Sequence, residues 1–207
     1  MGQREERREE KLEEQREKKD QEKGGRLPSA VKETLSFLMY IAIVFVLTYL
    51  VIHYVGQRTE VDGQSMENTL SDRDNLIVDK ITYRFRDPER FDIIVFPFQY
   101  KDNTYYIKRI IGLPGETVQI DAKGTIYING EELAESYGRE VIAPTNLGLA
   151  EQPVTLGEDE YFVLGDNRNH SSDSRDPSVA NIKREDIIGR AWLRIYPFSK
   201  FGFIKHQ

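Results

Sequence analysis

The sequence predicts a mostly β domain with a small β extension, set behind one N-terminal transmembrane helix. Three observations carry that reading. Residues 35–54, LSFLMYIAIVFVLTYLVIHY, contain no Asp, Glu, Lys or Arg. Beyond Val55, short runs rich in Val, Ile and Tyr recur between Gly, Pro, Asp and Asn, with no alternation of strand and helix patterns. The 207 residues, 39% hydrophobic and 11% aromatic, suffice for one sizeable core, while a negative mean hydropathy leaves room for a solvated segment.

That solvated segment is the first 34 residues, which carry ten Lys/Arg and ten Asp/Glu and almost no apolar anchor. Opposite charges at i, i+3 and i, i+4 could support an isolated helix up to Gly24-Gly25, and otherwise the tail is disordered. Residues 35–54 follow; as a helix they span about 30 Å, the thickness of bilayer hydrocarbon. The run is too long for the core of a cleaved signal, and HYVGQRTE offers no small-x-small cleavage site, so the helix is read as a retained anchor. Residues 15–34 hold six Lys/Arg against two, Arg58 and Arg73, in residues 55–74. The positive-inside rule therefore places the N-terminus in the cytoplasm and the domain at 55–207 outside a cell membrane crossed once.

Within that domain the strand candidates are RTEVD, NLIVDK, DIIVFPF, TYYIKRIIG, ETVQID, TIYING, EYFVLGD and IIGRAWLRIY. Asn129-Gly130 after TIYI signals a type I′ hairpin, with a returning strand near Glu132-Leu133. The polar stretch at 134–158 suggests that residues 113–158 form the small extension. The aromatic stretch FSKFGFIKHQ at the end is read as core packing rather than interfacial insertion.

Composition removes several chemistries. No cysteine is present, which excludes disulfides, thiolate metal sites and cysteine nucleophiles. His53, His170 and His206 are scattered, so no metal site and no cofactor are expected, and a Ser-His-Asp triad could recruit only His170. The tail is balanced and the helix uncharged, so the net charge of −6 sits on the β domain, which argues against nucleic acid as a partner.

Three stretches remain as candidate chemistry. In YYIKRIIGLPGE, period-2 alternation puts Tyr106, Lys108 and Ile110 on one strand face and Tyr105, Ile107, Arg109 and Ile111 on the other. Lys108 is either an edge charge snorkelling to water or a lysine kept neutral to act as a base. The second use requires its pKa, ordinarily ~10.4, to fall by several units, which burial against Tyr106 and Ile110 can supply. In VDGQSMENTL, Ser65 follows Gly63 by two; alone this fits a turn serine capping a short helix through ENTL. GDNRNHSSDSR, at 165–175, sets Asp166, Arg168, Asp173 and Arg175 among small hydroxyls, the make-up of a polar loop tied by Asx turns and ion pairs.

In this order behind an N-terminal anchor, GQSM, DIIVF, KRIIGLPGE and GDNRNHSSDSR resemble the type I signal peptidases in their compact Gram-positive form. The resemblance runs from the anchor to IIGRAWLRIYP. It implies a mostly antiparallel β-sheet catalytic core with a smaller extension. The implied activity is that of a membrane-anchored serine endopeptidase removing N-terminal signal peptides after small residues at −1 and −3. Its partners would be the signal peptides of exported preproteins, the lipid bilayer and the protein export machinery. Ser65 then takes the role of nucleophile and Lys108 that of general base, with Ser171 orienting the lysine amine. The backbone N–H of Ser65 would meet the oxyanion. Val61, Gly63 and Ile107 would border the substrate, and Arg109, Asp166, Asp173 and Arg175 would hold the site together by ion pairing. Ser65 lies eleven residues beyond Tyr54, so at most about 36–40 Å of chain separates it from the bilayer.

Two positions depart from the family pattern. Gly63 stands where many relatives carry an oxyanion-stabilising serine, and restoring that serine is expected to preserve or raise turnover. Asn68 stands where proline is usual, which puts the rigidity of the turn in doubt. Two rival readings share the core: a self-cleaving Ser-Lys protease, opposed by the membrane span, and an anchored binding or assembly factor that has lost its activity, opposed by the presence of both Ser65 and Lys108.

Overall fold

The computed structural model describes residues 7, 11–16, 28–50, 54 and 56–206, which fall into two units, Met1–Tyr49 and Leu50–Gln207. In the first, residues 7 and 11–16 are helical and exposed; the Gly24-Gly25 break lies outside the described residues. Helix α1, Ser29–Leu50, buries none of its residues, and its length of 22 residues with a mean hydropathy of 1.9 over its most apolar 18 fits a single membrane span. It begins ahead of the apolar run because the Pro28 carbonyl accepts from the N–H groups of Val31 and Lys32, closing a polar first turn. The far end of the expected span, residues 51–53, lies outside the described residues.

The second unit is built on antiparallel sheets. Strands β1 (Gly56–Glu60), β2 (Asn75–Asp79), β3 (Ile93–Pro97), β4 (Tyr105–Gly112), β9 (Glu160–Leu164), β10 (Ile182–Lys183), β11 (Gly189–Tyr196) and β12 (Gly202–Phe203) form one sheet. Its order is β1-β2-β11-β3-β4-β9-β10, with β12 added to β11. A second sheet, ordered β7-β6-β5-β8, joins β5 (Thr117–Ile120), β6 (Ile126–Ile128), β7 (Glu131–Glu132) and β8 (Val154–Thr155). Asn129 and Gly130, with φ of 53° and 85°, make the two-residue turn from β6 to β7, the positive pair that a type I′ turn requires.

Three apolar clusters set the frame. Val118, Ile120, Ile126 and Phe162 pack the small sheet onto β4 and β9. Met66, Leu70, Val95, Ile107 and Ile204 pin the loop after β1 to the main sheet. Ile94, Ile110, Tyr161 and Val163 fill the other side. Burying each such side chain is worth about 1.5–3 kcal/mol.

The C-terminal stretch departs from expectation. Of its apolar residues Ile204 alone is buried; Phe198, Phe201 and Phe203 are exposed. The pairing of Gly202-Phe203 with Leu193-Arg194 turns Ile204 inward and leaves Phe203 against the ring of Trp192 on the outer face.

Candidate active site

Strand β4 has two different halves. Tyr105–Arg109 pair with β3 along one edge, but the other edge meets β9 only from Arg109 onward, through Arg109↔Leu164, Ile110↔Val163 and Gly112↔Phe162. The edge from Tyr105 to Lys108 is left open beside a cleft of about 240 Å³. Thr59–Met66 line its opposite wall, and His170 and Ser172 also border it. Alternation would put Ile107 and Lys108 on opposite faces, yet both border this cleft, because it runs along the strand's free backbone edge.

Ser65 sits on the turn between β1 and β2. The buried side chains of Met66 and Leu70 anchor that turn, and the Met66 carbonyl accepts from Thr69 and Leu70. Gly63 adopts φ 96° and its N–H donates to Asp72 Oδ1 at 2.9 Å. Asn68 adopts φ 41°, a left-handed conformation that asparagine tolerates and proline's ring forbids. The turn is therefore held without the proline of the family pattern.

The loop after β9 grips this turn. Asn167 N–H donates to Ser65 O, and Asn167 Nδ2 to Gln64 O, each at 3.0 Å. A Cβ on Gly165 would lie 2.5 Å from Ser65 O and 2.2 Å from Ser171 Oγ, so only glycine permits this approach. Lys108 Nζ is hydrogen-bonded to Ser65 Oγ at 2.9 Å and donates to its neighbour's carbonyl, Ile107 O, at 3.1 Å. The lysine is only 4% exposed, and burial pushes its pKa from 10.5 down to about 8, although Asp173 and Asp166 pull the other way.

Behind the pair lie two buried arginine–carboxylate forks. Arg109 Nε and Nη2 donate to the two oxygens of Asp166, each at 2.8 Å. Its remaining N–H groups reach Phe91 O, His206 O and Thr69 Oγ1, and its guanidinium lies 3.8 Å from the Tyr137 ring centroid. Arg175 pairs with Asp173 in the same manner, and Asp173 Oδ2 also accepts from Gly165 N–H.

The structure thus brings together Ser65, Lys108, Val61, Gly63 and Ile107 around one cleft, with the two ion pairs beneath. Ser171 falls short of the expected contact: it makes no hydrogen bond to Lys108, and its buried Oγ has no hydrogen-bond partner among the described residues. The chain turns at this point, so that His170 and Ser172 border the cleft while Ser171 faces Gly165. His170 is exposed and Ser65 bonds Lys108, not a histidine. Sequence reasoning missed Thr69, which donates to Asp166 Oδ2 at 2.5 Å, and Asn167, Glu135 and His206. Thr69, next to the serine motif, could have been suspected from its position; the other contacts join residues 33 to 103 positions apart.

Comparison with known proteins shows the family to which the chain belongs. Residues 32–196 match the family described as signal peptidase, peptidase S26. The chain belongs to that family. It is 40% identical over 156 residues to a probable signal peptidase I-2 of Synechocystis, covering 73% of this chain and 68% of that one. It is 37% identical over 182 residues to a signal peptidase I of Leptolyngbya laminosa, covering 84% and 86%. With a signal peptidase I of Bacillus amyloliquefaciens the identity is 35% over 171 residues, covering 80% and 90%. As a signal peptidase of this family the protein is a protease of signal-peptide processing, and the apolar helix α1 fits the membrane attachment of such enzymes.

Proposed function

We propose that the protein removes signal peptides from exported preproteins by a Ser65–Lys108 dyad. The observation that carries the reading is the 2.9 Å contact between Ser65 Oγ and a buried lysine amine whose pKa is depressed by that burial. In the neutral form Nζ has a lone pair for the serine proton. As Oγ bonds to the scissile carbonyl carbon, the proton passes to Nζ and the carbonyl π electrons move onto oxygen. Collapse of the tetrahedral intermediate breaks the C–N bond, and the lysine ammonium returns the proton to the departing amine. Water, deprotonated in turn by Lys108, then releases the acyl group. Ser65 N–H, which donates to no group among the described residues, is positioned for the oxyanion.

The substrate binds as an extended strand along the open edge at Tyr105–Lys108. Val61 and Ile107, both buried beside the cleft, leave room for small side chains at −1 and −3. The excess of Lys/Arg ahead of the apolar run supports a cytoplasmic N-terminus and a catalytic domain on the outer side of the cell membrane, where preproteins leave the export machinery. The exposed rings of Trp192, Tyr196, Phe198, Phe201 and Phe203 are suited to the lipid headgroup region. Full-length protein in detergent micelles, given one labelled preprotein and analysed by mass spectrometry, tests the reading. Cleavage after a small residue, lost at least about a hundredfold in Ser65→Ala and in Lys108→Arg, is the expected result. An active Lys108→Arg variant overturns the dyad, since a guanidinium cannot serve as the base.

A further inference from the structure

Taking a proton turns Lys108 into an ammonium in a buried place, and none of the ion pairs among the described residues includes it. What its amine faces is a ring: Nζ lies 4.8 Å from the centroid of Tyr106. That ring is fixed. Phe98 stacks on it with centroids 4.7 Å apart and planes at 9°, and Phe96 meets it edge-on at 6.1 Å and 72°. The charged and titratable groups around the amine are otherwise Asp166 and Asp173, each engaged by an arginine, and Glu60, Asp62, Tyr105 and His170 on the cleft rim.

We propose that the π face of Tyr106 serves as the counter-charge of Lys108, holding the amine against Ser65 and stabilising the ammonium formed when the serine proton is taken. This rests on the reading of Lys108 as the base. Tyr106 exchanges no proton and forms no bond to substrate in this step; it is a positioning residue. The quadrupole of an aromatic ring attracts a cation at this distance, and more strongly where water is excluded. Burial and ring therefore oppose one another: burial brings the lysine within reach of neutrality, and the ring keeps it basic enough to capture the proton.

The test replaces Tyr106 by Phe, by phenylalanines bearing one, two and three ring fluorines, and by Leu, in the full-length protein in detergent micelles. Fluorination drains the π face while keeping the ring's shape. Two quantities are read: the titration of Lys108 by NMR of carbon-labelled lysine, assigned by its loss in Lys108→Met, and the pH profile of preprotein cleavage. Tyr106→Phe keeps the π face and should leave the Lys108 titration where the wild type has it, which makes it the reference for the fluorinated rings. Successive fluorines should lower the lysine titration and the acid limb together, reaching a drop of about 0.5–1.5 pH units with three fluorines or with Leu. The plateau kcat should fall because a weaker base captures the proton less well, with KM steady to within about threefold. A lysine titration that stays fixed across the fluorine series overturns the proposal, and that series decides even if the leucine variant does not fold. A wild-type Lys108 that titrates at its ordinary value overturns instead the base reading beneath it.

Discussion

Lys108 and Arg109 are adjacent on β4 and have opposite electrostatic surroundings. Arg109 is fully enclosed and forked onto Asp166 by two 2.8 Å hydrogen bonds, whereas Lys108, also buried, has a hydroxyl, a carbonyl and a ring for neighbours. Strand alternation is what separates them: consecutive side chains leave the backbone in opposite directions, so one cation reaches the carboxylate under the sheet and the other reaches the cleft. A cation matched by a fixed carboxylate stays charged, and one left without such a partner is easier to discharge.

Lys108→Met should raise thermal stability while abolishing cleavage. The folded-state pKa, about 8, lies below the ordinary 10.5. Below pH 8 the lysine is charged in both states and the folded protein bears the whole desolvation cost. Between pH 8 and about 10.4 the unfolded chain binds the proton that the folded one has lost, so wild-type stability rises with pH. The methionine variant should thus gain most at neutral pH, up to about 3 kcal/mol, and the gap should close toward pH 10.4. Denaturant titrations at pH 7 and pH 10 measure both; a variant less stable than wild type at pH 7 contradicts the account.

Asp166→Asn leaves the Arg109 guanidinium buried without its counter-charge. Removing one member of such a pair costs about 3–5 kcal/mol. A clear loss of melting temperature is expected, with activity falling at temperatures where the variant is still folded because the Ser65 turn loses Thr69 as a fixed neighbour. A melting temperature equal to wild type would show that the fork contributes nothing to the fold.

Asn68→Pro should disrupt the turn that carries Ser65. Proline is confined to φ near −65°, against 41° here, so the variant is expected to lose about 3 kcal/mol and nearly all turnover. Asn68→Gly, at home in the left-handed region, should behave as wild type. Equal activity of the proline and glycine variants in a cleavage assay would refute the assigned backbone.

The expectation that Gly63→Ser preserves or raises turnover is reversed by the backbone. There is space for a Cβ at Gly63, with nothing within 4 Å, but φ of 96° is a conformation that a serine adopts only with strain. At about 1–3 kcal/mol, that strain passed to the adjacent Ser65 turn amounts to a loss of kcat/KM of about fivefold to 150-fold. Turnover at or above the wild-type rate would mean that the added hydroxyl outweighs the strain.

Much of this was legible along the chain. The β-rich pattern, the Asn129-Gly130 hairpin and the three stretches carrying Ser65, Lys108 and Asp166 are local signals, written in residues close together in sequence. That Arg109, Asp166, Asp173 and Arg175 would hold the site together by ion pairing followed from the family resemblance, but which arginine meets which aspartate did not. What could not be read is geometry that depends on distant segments meeting. Tyr137 stacks on Arg109 from the small β extension, Glu135 pairs with Arg168, and Asn167 grips the serine turn, each across a long stretch of chain. Ser171 was assigned by motif position, but the direction of its hydroxyl depends on how the loop packs on Gly165. The positive φ of Gly63 and Asn68 is likewise a property of the folded turn, invisible in residue order.

The hydrogen-bonding of Arg109 also bears on when the enzyme comes into being. Its acceptors come from Thr69, Phe91, Asp166 and His206, the last of them 97 residues downstream. A nascent chain made only as far as Gly112 already contains both Ser65 and Lys108, yet it lacks Asp166, the asparagine that grips the serine turn and the β9 strand that flanks half of β4. Ser65 and Lys108 therefore acquire their alignment only when the chain through Asn167 has been synthesised and has folded back. During biosynthesis Ser65 and Lys108, the proposed nucleophile and base, are thus present before the scaffold that aligns them.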